Sequence, residues 1–424
     1  MANLTSRLRQ LTARPSTGVI LAGLMLRSNT WMHRRVESLR MDANGGTTLH
    51  VSLDYTLPSP AIERSGKRVL LPLGFVRKGA LRKVNTRGAS GQPLPILDSE
   101  ENGSLAVEML LALAAQVLPD TIVSSEECRN TLEGVVYCSP NGAPEAVAQF
   151  EAWLGSQGDI ESGPAQEVFA SMTAQLARNF LFAVEADAAV VGTRSIVKYS
   201  YEDELPEIRK VSIPTTIARG IPQFGIAASW HFEVEAPAGL GVRALRVREY
   251  DVDGTLGSEW EDRAPRRDPE TVAHVACRPD HRLTTATADI VLTPQRRGLP
   301  RVTLWGALLT GVLVALALGA RTFTDVFIAE SPAGSSPASI LLAGPALLLS
   351  WLSRAPEHVM VARLHWPLRR VLVVSSFVLF GMALIVTVPL LSPWNCMAWA
   401  TIAAAQAWAV VEAVSLYRSV VRTT

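Results

Sequence analysis

Three long apolar runs near the C-terminus constrain this chain more than any other feature of its sequence. Residues 302–320, 371–391 and 394–417 are each long and apolar enough to cross the ~30 Å hydrocarbon core of a bilayer. A shorter apolar run, residues 337–353, lies at the lower limit of about 17 residues for a crossing helix. The chain is therefore expected to be an integral membrane protein, with the lipid bilayer as its first partner.

Arginine clusters flank these runs. They comprise Arg296, Arg297 and Arg301 before the first run, Arg354, Arg363, Arg369 and Arg370 before the run at 371–391, and Arg418 and Arg422 after the last run. Basic residues favour the cytoplasmic side, and all three clusters lie on one side only if residues 337–353 also cross. A re-entrant segment there would place the middle cluster outside. The sequence thus predicts a C-terminal four-helix transmembrane bundle in a bacterial plasma membrane, with the N-terminus and the C-terminus cytoplasmic.

A nine-residue apolar run, Gly18–Leu26, follows several arginines and is similar in outline to a signal peptide. No small-x-small cleavage site follows it, and Arg27, Arg34 and Arg35 are poor flanks for translocation. We therefore predict a buried strand or helix here, and a cytoplasmic location for the first ~300 residues. The four cysteines have irregular spacing, and reduced thiols are expected in that compartment.

Composition restricts the class of protein, and local patterns divide the chain. With 40 Lys+Arg against 39 Asp+Glu, the net charge of +1 argues against a nucleic-acid partner. Asp98 is the predicted N-cap of a helix, and further helices and β-rich segments precede residue 190. The predicted fold is a cytoplasmic mixed α/β region (1–190), an antiparallel β unit of sandwich type with a basic connector (191–300) and the transmembrane domain (301–424).

Two segments, Val197–Tyr201 (VKYSY) and Ser229–Pro237 (SWHFEVEAP), stand upstream of the predicted spans. With four spans following it, the SWHFEVEAP-like segment resembles one in a group of uncharacterised bacterial four-span membrane proteins. The resemblance covers about the C-terminal half of the chain. It implies the same membrane layout and brings no assigned activity.

Within the second segment, His231, Glu233 and Glu235 alternate with apolar residues. Strand periodicity sends these three side chains to one face of a sheet. The ordinary interpretation is an antiparallel strand with one solvated side. A face with one imidazole and two carboxylates is also suited to binding a cation or a basic partner, so these residues are the candidate binding site.

Two other clusters contain metal-ligating or catalytic residue types. His274, Cys277 and His281 include legitimate zinc ligands, but no second ligand pair stands at a zinc-ribbon spacing, so they remain weak metal candidates. The sequence DVDGTL, with Asp251 and Asp253, matches the first motif of haloacid-dehalogenase-like phosphatases. Too little chain remains before the membrane for the later motifs of that family, so a turn is predicted there. No cofactor, metal or catalytic residue is therefore predicted.

In the membrane domain, small residues recur every four positions along the first span: Ala307, Gly311, Ala315 and Gly319. Small residues so spaced allow another helix to approach closely. Gln406 lies near the centre of the last span, where an unpaired amide is costly, so it is expected to face a neighbouring helix.

Taken together, these patterns favour a non-enzymatic membrane protein. Its cytoplasmic domain would bind a ligand or partner, or a second copy of the chain, and would be coupled to or anchored by the four-helix bundle. Signalling, a membrane effector and a scaffold all fit this description. The alternative is a membrane-anchored enzyme acting at the cytoplasmic leaflet, which lacks the usual nucleotide, hydrolase and metalloprotease motifs in this sequence.

Overall fold

The structure is a computed structural model. It describes residues 16–41, 46–64, 67–79, 82–158, 163–203, 213–221, 224–250, 255–263, 269–279, 285–324, 347, 349–350, 359–387, 390 and 393–422.

The soluble part is built mainly from strands. They are β1 (Met32–Met41), β2 (Thr47–Thr56), β3 (Ile62–Arg64), β4 (Arg68–Arg77), β5 (Arg82–Arg87), β6 (Asn179–Asp187), β7 (Arg194–Asp203), β8 (Thr215–Ile221), β9 (Trp230–Glu235), β10 (Leu240–Tyr250), β11 (Leu256–Arg263), β12 (Val272–Cys277) and β13 (Thr285–Pro294). Its longer helices are α1 (Thr17–Leu26), α2 (Ser99–Ala114), α3 (Glu126–Tyr137), α4 (Ala143–Ser156) and α5 (Pro164–Arg178). Three long helices follow, α6 (Leu299–Thr324), α7 (Val359–Thr387) and α8 (Trp394–Arg422).

The strands form three sheets. A six-stranded sheet has the order β12-β9-β1-β2-β7-β5, a four-stranded sheet the order β11-β10-β13-β8, and a three-stranded sheet the order β3-β4-β6. One face of the six-stranded sheet packs against the four-stranded sheet near β9 and against the three-stranded sheet near β7. At the second contact, the rings of Phe182 and Tyr199 meet edge to face with their centroids 5.1 Å apart. Helices α2 and α5 pack on the three-stranded sheet, so β4 is buried along nearly its whole length.

The boundary predicted at residue 190 does not divide the soluble part. Strand β9, from the predicted second unit, pairs in parallel with β1 from the first, and Arg35 lies opposite Trp230. Buried apolar residues of both regions belong to one hydrophobic core. The predicted β unit is thus part of a single mixed domain, because β9 needs neighbours on both edges and finds one of them about 190 positions earlier in the chain.

The apolar run at residues 18–26 forms most of helix α1, which packs against α2, as the prediction of a buried helix requires. Gly18 permits this contact, because a Cβ built on it would lie 2.2 Å from the backbone oxygen of Glu108. The predicted N-cap is confirmed as well. The Asp98 side chain accepts hydrogen bonds from the backbone N–H groups of Glu100 and Glu101.

Helices α6, α7 and α8 are each long and apolar enough to cross a membrane. Helix α8 runs antiparallel to α6, since Arg296 bonds to Tyr417 at one end and Arg321 to Cys396 at the other. It is also antiparallel to α7, where Arg370 pairs with Glu412 and Gly381 approaches Ile402. Helices α6 and α7 are therefore parallel. We call the Arg296/Tyr417 end, which lies beside the soluble domain, the near end, and we call the Arg321/Cys396 end the far end.

The predicted second span, residues 337–353, lies mostly outside the described residues. One described member, Leu349, is buried beside Leu372 of α7, and a Cβ built on Gly306 of α6 would lie 3.2 Å from it.

The near end of α7 belongs to the core of the soluble domain. Val361 and Leu364 are almost fully buried in the same hydrophobic cluster as the sheets. Gly239, in the turn between β9 and β10, sits against this helix: a Cβ built there would lie 3.5 Å from His365 and 3.6 Å from Val361. The soluble domain and a candidate membrane helix thus share one packed core.

Candidate functional site

Strand β9 places the candidate binding residues on the solvent side of the six-stranded sheet. Trp230, Phe232 and Val234 are completely buried in the core, whereas His231 and Glu233 are half-buried and Glu235 is exposed. The strand lies between β12 and β1, so its outward side chains have neighbours on both sides. We call the outward side chains of β12, β9, β1, β2 and β7 the open face.

The register of the sheet brings polar residues from five strands into one row on the open face. The row runs His274, Glu233, Ser38, His50 and Ser200 across neighbouring strands. All five side chains are exposed or half-buried. Side chains directly opposite each other in a sheet lie about 4.5–5.5 Å apart at Cβ, which is a suitable spacing for recognising an extended polar surface.

Two imidazoles meet at one end of this row. His231 Nδ1 lies 3.1 Å from His274 Nε2, and the rings are nearly parallel with centroids 5.3 Å apart. One ring must donate and the other accept, so at least one imidazole is neutral in this arrangement. Burial, and then the charges of Arg34 and His274, lower the pKa of His231 against an opposing contribution from Glu233.

Further contacts fix this corner of the sheet. The backbone N–H of His274 donates to the Asp262 carboxylate of β11 at 2.9 Å. On the other side of β9, Glu235 pairs with Arg40 of β1 at 3.2 Å, with both side chains about half exposed. The strand that carries His274 is therefore bonded to β11, and the strand that carries His231 is bonded to β1 through an exposed ion pair.

Beneath the open face lies a buried ion pair that the sequence did not indicate. Arg35 Nε donates to Glu37 Oε1 at 2.6 Å, and Trp230 Nε1 donates to the same oxygen at 3.3 Å. Burial alone would raise the pKa of the Glu37 carboxyl, but Arg35 and then Arg219, with the hydrogen bonds, outweigh it and lower this pKa. The contact ties β1 to β9 directly below His231.

The weak metal candidates do not converge. His274 and Cys277 are three positions apart on β12, so they point to opposite faces, His274 outward and Cys277 into the core. Burial, with a smaller contribution from Glu249, raises the pKa of the Cys277 thiol to about 12, so no thiolate forms at neutral pH. His281, Asp251 and Asp253 lie outside the described residues. Among the residues that the structure describes, no group of three His, Cys, Asp or Glu could hold a metal ion.

The chain matches no protein-family model and no curated protein.

The predicted small-residue stripe takes part in helix contact over half its length. Ala307 is completely buried, and a Cβ built on Gly311 would lie 3.3 Å from Val410 of α8. Further along the helix, Ala315 is exposed, and no described atom lies within 4 Å of a Cβ built on Gly319. Each four-residue step turns the helix about 40° beyond a full circle, so the stripe rotates out of the contact.

Gln406 faces the neighbouring helix. Its side chain is 2 % exposed, and its Nε2 donates to the backbone oxygen of Ala307 at 2.7 Å. Glu412, the acidic residue of α8, pairs with Arg370 at 3.1 Å, and the Arg370 guanidinium lies 5.0 Å from the centre of the Trp408 ring. Polar groups of these helices thus form hydrogen bonds and an ion pair with neighbouring helices, which favours helix association in lipid.

Proposed function

We propose that this chain is a non-enzymatic membrane protein. Its soluble domain binds a ligand or a partner protein on the open face and transmits that event to the helix bundle. The observation that carries the proposal is the short path between the two. Strand β9 bears His231 and Glu233, and the turn that directly follows it packs at Gly239 against α7. Val361 and Leu364 continue the contact into the core.

This geometry supports transmission over simple anchoring. A flexible tether would leave the soluble domain and the helices with separate cores, and relative motion would then be expected. Here a displacement of β9 meets a closely packed turn and a buried helix end. Packed cores deform little and transfer a shift to their neighbours, so they couple distant elements.

We further propose that the bundle has four crossings, with both termini and the soluble domain in the cytoplasm of a bacterial cell. A fourth crossing would account for the parallel arrangement of α6 and α7, since α6 ends at the far end and α7 begins at the near end. The buried position of Leu349 between α6 and α7 supports a return through the bundle. The three arginine clusters then lie on one side of the membrane.

Cys396 tests this topology. It is exposed at the far end, whereas the soluble domain contains the buried Cys128 and Cys277 and the half-buried Cys138. A membrane-impermeant maleimide added to intact cells should label the protein, and Cys396→Ser should abolish the label. Label that appears only in permeabilised cells and is lost in Cys396→Ser would place the far end in the cytoplasm and contradict the proposed topology.

Binding by the open face can be tested with a photo-crosslinking residue at Ala276. This position is exposed on β12 directly opposite His231. Irradiation in native membranes should give a discrete adduct that disappears when His231 and His274 are both replaced by alanine. The matched control carries the photo-crosslinking residue in place of Asn130, which is exposed on α3 in the helical layer. An adduct common to both positions, an adduct unaffected by the histidine changes, or no adduct would contradict the proposal.

A further inference from the structure

The cytoplasmic half of α8 presents an apolar groove that ends in polar groups. Its described lining is Val410, Val411, Val414, Ser415, Arg418 and Ser419, and the groove has a volume of about 550 Å³. These residues recur at intervals of three and four, so they form one stripe along the helix. Val411 is 69 % exposed, which is expected for a side chain that faces lipid in a membrane-spanning helix.

The polar end of the groove lies at the near end of the helices. Tyr417, the neighbour of Arg418, accepts a hydrogen bond from Arg296 at 3.0 Å, just before α6 begins. This contact sets Arg418 at the near end, beside the soluble domain. The valines lie one to two turns deeper along α8, where acyl chains surround the protein.

Arg418 differs from neighbouring arginines in its contacts. Arg370 pairs with Glu412 and lies over Trp408, and Arg296 bonds to Tyr417. Arg418 is exposed and has no ion pair or side-chain hydrogen bond to any residue that the structure describes. A guanidinium presents several donors in a fork that matches phosphate oxygens, so its position suits a phosphate at the membrane surface.

From these observations we infer that the groove binds one anionic phospholipid. The phosphate lies between Arg418 and the hydroxyl of Ser415, because the Ser419 hydroxyl already donates to the backbone oxygen of Leu416 at 2.7 Å. One acyl chain follows Val414 and Val410. An anionic headgroup is favoured over a zwitterionic one because Arg418 supplies a positive charge and the described residues of the lining include no carboxylate to receive a second, positive group. Glu412, the acid of this helix, is engaged with Arg370.

The experiment uses full-length protein in a non-ionic detergent with equal amounts of phosphatidylglycerol and phosphatidylcholine that share the same acyl chains. Native mass spectrometry counts the lipids bound to each chain. One arginine at the surface contributes about 1 kcal/mol, so phosphatidylglycerol should be preferred about fivefold. Arg418→Gln should bring the ratio close to one, and Val414→Trp should reduce the binding of both lipids without changing their ratio.

Arg301→Gln is the matched control. Arg301 is exposed at the same end of the bundle on α6 and does not line the groove. The control should keep the preference for phosphatidylglycerol. Only variants whose melting temperature equals that of the unmodified protein are compared. Equal losses in Arg418→Gln and Arg301→Gln would mean a diffuse basic surface, and no retained lipid or no headgroup preference in the unmodified protein would also overturn the inference. A doubled mass without lipid would assign the groove to a second copy of the chain and overturn it too.

Discussion

At the scale of single residues, β1 and β9 place two ion pairs on opposite sides of one sheet. Arg35 and Glu37 are about 5 % exposed and lie in the core, whereas Arg40 and Glu235 are about half exposed on the open face. A buried charge that loses its partner stays buried without compensation, but an exposed charge is solvated by water. The two pairs should therefore respond very differently to removal of one member.

Glu37→Ala should lower the free energy of unfolding by about 3–5 kcal/mol, because it removes the carboxylate that pairs with the buried Arg35 guanidinium and accepts from the Trp230 N–H. Arg40→Ala, the matched control, should cost below about 1 kcal/mol. Denaturant unfolding of the full-length protein in detergent measures both. Similar losses in the two variants would show that the buried pair has no special role.

The pH dependence of stability should report the imidazole pair. The pKa of His231 is lowered in the folded protein, so on acidification the unfolded state binds its proton first. The free energy of unfolding should therefore fall as pH drops below about 6.5, the ordinary imidazole value, until folded His231 also becomes protonated. His231→Asn should reduce this decline, which is measured as melting temperature between pH 8 and pH 5. An unchanged decline in the variant would argue against the lowered pKa.

The sequence predicted part of this site. Strict alternation in SWHFEVEAP placed His231 and Glu233 on one face, and that inference needs only local periodicity. The partner imidazole of His274 could not be found in this way, because strand pairing is set by the whole core. Arg35 and Glu37 were missed for another reason. They alternate with Val36 and Ser38 and face inward, although charged residues are rarely fully buried.

At the scale of elements, the contacts of α6 show what spacing can and cannot predict. The buried positions are Thr303, Ala307, Thr310 and Val314, which follow steps of four, three and four residues. Alternating steps of three and four residues keep the buried positions on the side of the helix that faces its partner. A strict four-residue stripe winds around the helix and leaves that side. The small residues indicated the close approach at Gly311, whereas the described contacts with α8 do not continue along the four-residue stripe.

Gly311→Leu should destabilise the helix bundle by about 1–3 kcal/mol. The larger side chain meets Val410 and disturbs the region of the Gln406–Ala307 hydrogen bond. Leu316→Phe should cost far less, because Leu316 is 65 % exposed on another side of α6. Thermal aggregation of the two purified variants makes the comparison. If both behave alike, α6 and α8 do not depend on close approach at Gly311.

At the scale of the whole molecule, the parallel pairing of β1 with β9 and the burial of α7 in the soluble core join parts of the chain that look separate in sequence. Composition shifts correctly separated the long apolar helices from the soluble domain. They did not reveal the shared core, because Val361 and Leu364 precede the apolar run predicted to start at residue 371 and lie among arginines. Only their packing against the sheets shows the role of that segment.

The central claim is that the soluble domain and α7 move as one packed unit, and two equivalent leucines of α7 test it. Leu364 is fully buried against the soluble core, and Leu379 is equally buried deeper in the bundle. Replacement of either by alanine should cost about 2–5 kcal/mol of stability.

Hydrogen exchange of the full-length protein in lipid nanodiscs distinguishes them. Leu364→Ala should speed amide exchange in β13, the strand that contacts α7, and in its paired neighbour β10, because their opening then disrupts fewer contacts. Leu379→Ala should leave exchange in these strands unchanged. If Leu364→Ala also leaves β10 and β13 unchanged, the helices are an independent anchor and the proposed transmission is wrong.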